Sequence, residues 1–415
     1  MKNIVICDAY STGAKLAPLF REQGFKVAHV RSSETIPPHY EKTFRSHDFE
    51  IDFGFLGYDL VEASEKISRF MPDYVIAGAE PGVVLAETLS HYLSLPSNVI
   101  EKLESRRNKF VMIEAVRGAG LDVPFQINMM DAEGVHNLDL GNFTTPLVVK
   151  PANSAGGDGF RICHSRDEVV AHSNLLFGRR NAVGETNSSV LIQEYLQGQQ
   201  YFVNCTSING RHHVCEIWKD DRRPGHNGSL VCWKEDLLEP IGVVQAEIIS
   251  YTLGVLDVLG IREGASHTEL KYTDRGPVLI ETAARLQGTI DESAVRRCIG
   301  VDVISLMVQR YSQPDEFSRF FQLPRSRRAS VSCISLISNQ EGRIEDARGL
   351  QRIRSLPSFH SAIHIPPIGS RISKTSDLFT SPGIIYLVGD DDTISADHKR
   401  IRKMELAGEI FNVVE

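Results

Sequence analysis

Apolar residues come in short runs along the first hundred positions, and the runs alternate with segments of helical spacing. Residues 3–7 read as a buried strand, 14–23 as a helix stopped at Gly24, and 26–30 as a second strand. Residues 74–79 give a further strand and 83–93 an amphipathic helix. This alternation predicts an α/β domain with a parallel, doubly wound sheet, whose ligands sit beyond the carboxyl ends of the strands. Residues 8–12 and 78–82 therefore mark a candidate site. The first strand runs into Asp8-Ala9-Tyr10-Ser11-Thr12-Gly13. A glycine fingerprint for a dinucleotide pyrophosphate is missing there, which argues against a nicotinamide or flavin domain.

A boundary is expected at 95–97, followed by a charged helical segment at 99–118 and a turn at 120–124. The pattern then changes to strands at 147–149, 190–193, 201–208, 212–218, 266–272 and 277–282. Asn209-Gly210 is a hairpin signal between two of them. Residues 243–259 read as a helix on that sheet, and 329–336 and 383–388 as further strands. At 415 residues the chain calls for about three domains. The expected division is an N-terminal domain at 1–100, a central helical and lid segment at 101–192, and an antiparallel core with its extension at 193–415. The role of 311–415 stays open.

The formal charge of −8 argues against a nucleic-acid binder, and the basic cluster Arg325, Arg327 and Arg328 reads as a solvated linker. Seven cysteines, with no Cys-x-x-Cys pair, suggest reduced thiols in the cytoplasm. The apolar start is too short for a signal-peptide core, and no run approaches the roughly 18 apolar residues of a membrane span.

Three segments carry candidate chemistry. Lys150 ends an apolar strand beside Ala152-Asn153-Ser154-Ala155-Gly156-Gly157-Asp158-Gly159. Such a loop can close backbone N–H groups over phosphate oxygens while the lysine adds charge, or it is a plain surface hairpin. Gln193-Glu194-Tyr195-Leu196 could offer backbone groups to an adenine edge, or be an ordinary strand end. In the third segment, a hairpin centred on Arg275 places Glu269 opposite Glu281, with Cβ atoms about 5 Å apart. Two facing carboxylates repel, and a divalent cation reverses the sign; oxygen-only ligands favour Mg²⁺. A register off by one would instead put the two side chains on opposite faces. Arg285, four residues on, could hold a carboxylate or oxyanion, or form a structural ion pair.

The ordered set Lys109, Lys150, glycine-rich loop, Gln193–Leu196, Glu269, Glu281, Arg285 resembles the ATP-grasp superfamily over roughly residues 1–310. Within it, Glu281-Thr282-Ala283-Ala284-Arg285-Leu286-Gln287-Gly288 is most similar to bacterial L-amino acid ligases. The resemblance implies an ATP-grasp architecture and the joining of two L-amino acids through an aminoacyl phosphate, with release of ADP and phosphate. It implies ATP and Mg²⁺ as cofactors, with Mn²⁺ as a substitute. Lys109, Lys150, Gly156, Gly157 and Gly159 would meet the phosphates, and Gln193, Glu194, Tyr195, Leu196 and Gln200 the nucleoside. Glu269 and Glu281 would bind the metal, and Arg285 and Gly288 would stabilise the tetrahedral intermediate. Glu80, Pro81, His267 and Arg285 are the implied amino-acid contacts, and a loop at 218–227 with Trp218 and His226 would close over them.

Two positions depart from the superfamily pattern. Ala283 stands where a metal-binding asparagine is common, and Gln200 where a ribose-binding glutamate is common. Partners are expected to be small molecules, with no nucleic acid and no membrane, and a homodimer is a family-based expectation. The alternatives are a ligase for another acid and amine in secondary metabolism, and a nucleotide-binding regulator without turnover.

Overall fold

In the computed structural model, residues 2–138, 145–225, 228–319 and 327–414 are described. His226 and Arg325 lie outside them.

The N-terminal sheet has four parallel strands in the order Ile51–Phe55, Lys26–Arg31, Asn3–Cys7, Tyr74–Ala77. Alternation along Asn3–Cys7 explains why it is wound on both faces. Ile4 and Ile6 pack with Leu16, Ala17 and Phe20, whereas Val5 and Cys7 pack with Ala63, Ile67, Ala86 and Leu89. The first of these helices, Leu16–Glu22, is entered through a 3₁₀ turn at Ser11–Lys15, so it begins later than its spacing suggested.

A second sheet of four antiparallel strands runs Gln126–Met129, Val190–Glu194, Leu147–Pro151, Arg161–Cys163. Its residues Leu147, Val149, Val190 and Ile192 pack against Val169 and Leu176 of the helix Arg166–Leu176. Period-two alternation turns Val148, Lys150 and Gln193 the other way, into a cavity.

The largest sheet has eight antiparallel strands, from Gly276–Ala283 and Gly264–Thr273 through Gln199–Ile208, Arg211–Pro224 and Leu230–Leu238 to Ser330–Ser335, Ile384–Gly389 and Phe359–Ile363. Val203, Ile217, Leu270 and Leu279 bury one face against the helices Lys109–Gly118 and Val243–Val258. The strands Ser330–Ser335, Phe359–Ile363 and Ile384–Gly389 thus extend the same sheet. A small sheet of Arg371–Ile372, Gly342–Asp346 and Asn412–Val414 lies beside it. Among the described residues, no helix is long and apolar enough to cross a membrane.

Candidate active site

Glu269 and Glu281 are paired across neighbouring strands, as expected, but the turn does not do the pairing. The tip is a two-residue turn, Asp274-Arg275, with Thr273 opposite Gly276. That register continues to Leu270 opposite Leu279 and would set Glu269 against Ile280. A bulge at Ile280 shifts the ladder by one residue and brings Glu269 opposite Glu281. Both carboxylates face a cavity of about 720 Å³ that takes walls from all three large sheets.

Cations and hydrogen-bond donors surround these acids. Glu281 Oε2 is 2.9 Å from Lys109 Nζ. Glu269 Oε2 accepts from Gln200 Nε2 at 3.1 Å, and His267 Nε2 lies 3.4 Å from Oε1. Burial pushes the Glu269 carboxyl up, but the His267 hydrogen bond and the charges of Arg222, His267 and Arg285 outweigh it and hold it low. Two carboxylates on one face, opening on a cavity with lysines, fit a hard divalent cation.

Lys150 is 8% exposed and faces the same cavity. Burial, only partly offset by Glu281, lowers it to about 8. Lys109 is drawn to the loop after Lys150: its backbone N–H bonds the Ala152 carbonyl at 3.0 Å, and its Nζ donates to the Ser154 carbonyl. Gly156 and Gly157 line the cavity with φ of +67° and +82°. Gly159 does not line it. A Cβ there would sit 2.9 Å from Leu176 and from Pro151, so its glycine is required by packing.

Gln193, Glu194, Tyr195 and Leu196 also line the cavity, but the polar ends of Gln193 and Glu194 are engaged with other residues. Gln193 donates to Gln126 Oε1 at 2.8 Å, and Glu194 pairs with Arg275 at 3.0 Å. The Leu196 carbonyl accepts from Lys271 Nζ at 2.7 Å, and that lysine stands 4.6 Å over the Tyr195 ring. Gln200 bridges Glu269 and Asp220, at 3.1 Å each, so its amide is committed to positioning acids. Lys271 and Arg222 were not singled out from sequence. Lys271 lies two residues from Glu269 on the same strand face, a spacing that could have shown it.

At the N-terminal end of the cavity, Arg285 Nε donates to Glu80 Oε2 at 2.8 Å. Arg107, also missed in the sequence, donates to Glu80 Oε1 at 3.1 Å and to Glu185 Oε1 at 2.7 Å. Burial pushes Glu80 up, but Arg285, Arg107 and Lys109 outweigh it and hold it low. The chain Arg285–Glu80–Arg107–Glu185 thus ties the large sheet, the N-terminal sheet and the residues around the second sheet together. Gly288 lines the cavity, and its carbonyl accepts from Ser11 Oγ at 2.6 Å.

Pro81 does not line the cavity; it precedes the helix Gly82–Tyr92. His267 does line it, with Nδ1 bonded to Asn204 Oδ1 at 2.8 Å. Trp218 requires a correction. It belongs to the strand Arg211–Pro224 rather than to a loop, is 2% exposed, and stacks on Phe202 with its Nε1 bonded to Glu216. The alternation of Ile217, Trp218 and Lys219 fits a strand, and the apolar ring is consumed by the sheet core.

Residues 364–367 and 378–384 close another side of the cavity. This gives the C-terminal part of the chain a place at the site.

Residues 143–292 match the ATP-grasp domain family. The chain is 29% identical to dapdiamide A synthase of Enterobacter agglomerans over 400 residues, covering 94% of this chain and 92% of that protein. Its structure superposes on the L-amino acid ligase of Bacillus licheniformis with a TM-score of 0.77 and 18% identity, over 100% of this chain and 98% of that one. It also superposes on the biotin carboxylase domain of Hydrogenobacter thermophilus 2-oxoglutarate carboxylase, solved with MgADP. There the TM-score is 0.65 and the identity 14%, over 99% and 90% of the two chains. The acid pair, the two lysines, the glycine-rich loop and these likenesses agree: the chain has the ATP-grasp fold, and its residues 143–292 match the ATP-grasp domain family.

Proposed function

We propose that the chain is an ATP-dependent carboxylate–amine ligase that joins two L-amino acids into a dipeptide. The observation that carries this reading is the pairing of Glu269 with Glu281 in a cavity that also presents Lys109, Lys150 and Arg285.

A carboxylate oxygen of the first amino acid attacks the γ-phosphorus of ATP. The bond between that phosphorus and the bridging oxygen breaks, and ADP leaves. The second amino acid, as a neutral amine, then attacks the acyl carbon of the resulting acyl phosphate. The carbon–oxygen bond to phosphate breaks, phosphate leaves, and the amine proton is lost to solvent or a nearby base.

Glu269 and Glu281 would hold Mg²⁺, which supplies charge neutralisation at the nucleotide phosphates. Lys109 and Lys150 add two further cations, and Gly156 and Gly157 bring backbone N–H groups to the same place. Arg285 and the Gly288 region would meet the acyl centre, where a guanidinium would steady the oxyanion of the tetrahedral intermediate. Glu80, kept ionised at the same end, is suited to an amino-acid ammonium group.

A second reading keeps this chemistry and changes the substrates. The likeness to dapdiamide A synthase, over nearly the whole of both chains, favours another acid and amine in secondary metabolism. A panel of amino acids and related acids, followed by phosphate release and product mass, separates the two. Phosphate release with one acid alone, indifferent to any amine, sinks both. A nucleotide-binding regulator would release no phosphate, and Glu281→Gln would then change nothing.

A further inference from the structure

The glycine-rich loop is not held by its own sheet alone. The Gly156 carbonyl accepts the Leu378 N–H at 3.3 Å. The Phe379 ring presses on the same glycine: a Cβ at Gly156 would lie 2.5 Å from Phe379 Cε2. On another side, the ring packs against His39 of the N-terminal domain, with centroids 4.8 Å apart. One turn of the C-terminal region therefore touches both the loop and the N-terminal domain at the cavity edge.

That turn is rigidly built. Thr380 Oγ1 accepts from the N–H groups of Ser376 and Asp377 at 2.9 and 3.0 Å, and Asp377 Oδ1 accepts from Thr380 N at 2.8 Å. Its ends are tied to the strand side by Thr375 N to the Ser338 carbonyl at 2.9 Å and Ser381 Oγ to the Leu336 carbonyl at 2.8 Å. Leu378 and Phe379 themselves are 38% and 39% exposed. A stiff arm ending in a half-exposed apolar pair makes a contact that is cheap to break, which suits a catch and not a core.

We infer that Leu378 and Phe379 latch the glycine-rich loop across the cavity, and so keep water from the acyl phosphate during ligation. This rests on the ligase reading above. In its terms, Phe379 is a positioning residue that acts through Gly156. Its loss should divert the intermediate to hydrolysis: water attacks the acyl carbon, phosphate leaves, and the original acid is regenerated.

The test compares phosphate and ligated product in the full chain and in Phe379→Ala, Phe379→Leu and Thr380→Val. Phosphate released per product formed should rise roughly tenfold in Phe379→Ala, less in Thr380→Val, and return toward the parent ratio in Phe379→Leu. Hydrogen exchange of residues 154–158, with a non-hydrolysable ATP analogue and Mg²⁺, should quicken in the same order. The latch is overturned if phosphate and product fall together at an unchanged ratio, or if exchange of the loop does not change in Phe379→Ala. Should the parent chain ligate nothing, the ligase reading fails while loop exchange still decides the latch.

Discussion

On one side of the cavity, Glu269 and Glu281 stand on paired strands inside an eight-stranded sheet; on the other, Gly156 and Gly157 belong to a loop that leaves its strand after Pro151. The acids are hemmed in by Gln200, His267, Arg222 and Lys109, each within about 4 Å of a carboxylate oxygen. The glycines offer no side chain and need left-handed backbone. Lys109 joins the two, pairing with Glu281 while donating to the Ser154 carbonyl. Acidic charge is thus fixed on paired strands, and backbone hydrogen-bond donors come from a loop outside them. In the proposed reaction the sheet would supply the geometry for phosphoryl transfer, and the loop the closure.

If that division holds, breaking the sheet side should cost the most turnover. Glu281→Gln keeps the shape and removes one charge, so it should cut phosphate release by about a hundredfold or more with an unchanged unfolding temperature. A large drop in unfolding temperature would mean that the acid is structural. Arg285→Lys keeps the charge but loses the planar fork, and should lower kcat by roughly a hundredfold while moving the KM for ATP little. An equal rise in that KM would move Arg285 to the nucleotide.

The loop side should show smaller effects of another kind. Gly159→Ala forces a Cβ between Leu176 and Pro151 at a φ of +71° and should destabilise by about 1–3 kcal/mol in denaturant unfolding. Activity per folded molecule should survive, since Gly159 is outside the cavity lining.

The smallest effect sharpens the border between the two sides. Burial lowers Lys150 to about 8, and burial likewise lowers Lys271 to about 8. Above that pH the unfolded chain still binds protons at these lysines while the nucleotide-free folded chain does not. Stability should therefore rise from about pH 8 toward the ordinary lysine range, and Lys150→Met should remove part of that rise. A denaturant midpoint independent of pH across this window in the parent chain would contradict both burials.

Much of this site was legible because its chemistry lies in ordered, short segments. Lys150 and Glu281 announce themselves by apolar runs that stop at a charge, and Glu269 by its place across a short hairpin from Glu281. The strand Ile51–Phe55 was missed because Asp52 and Gly54 interrupt its apolar pattern. Leu230–Leu238 carries Lys234, Glu235 and Asp236, which dilute the signal of a strand buried in a large sheet. The Trp218 reading failed because a tryptophan near charged residues looks the same in a loop as in a strand that passes through a polar site. Arg107 and the turn at 376–380 were invisible for a different reason. Their importance comes from contacts with residues far away in the chain, Glu80, Glu185 and Gly156, and no local spacing reports those.

The extra residue at Ile280 has a consequence for how this hairpin can vary. In an unbroken ladder, one residue gained between the two acids would send one of them to the far side of the sheet. Here that gain is already absorbed next to the acids, so the tip and the base are insulated from each other. Asp274-Arg275 could be exchanged for another two-residue connection with the acid pair undisturbed, whereas flattening the kink at Ile280 would separate the pair even with the tip intact.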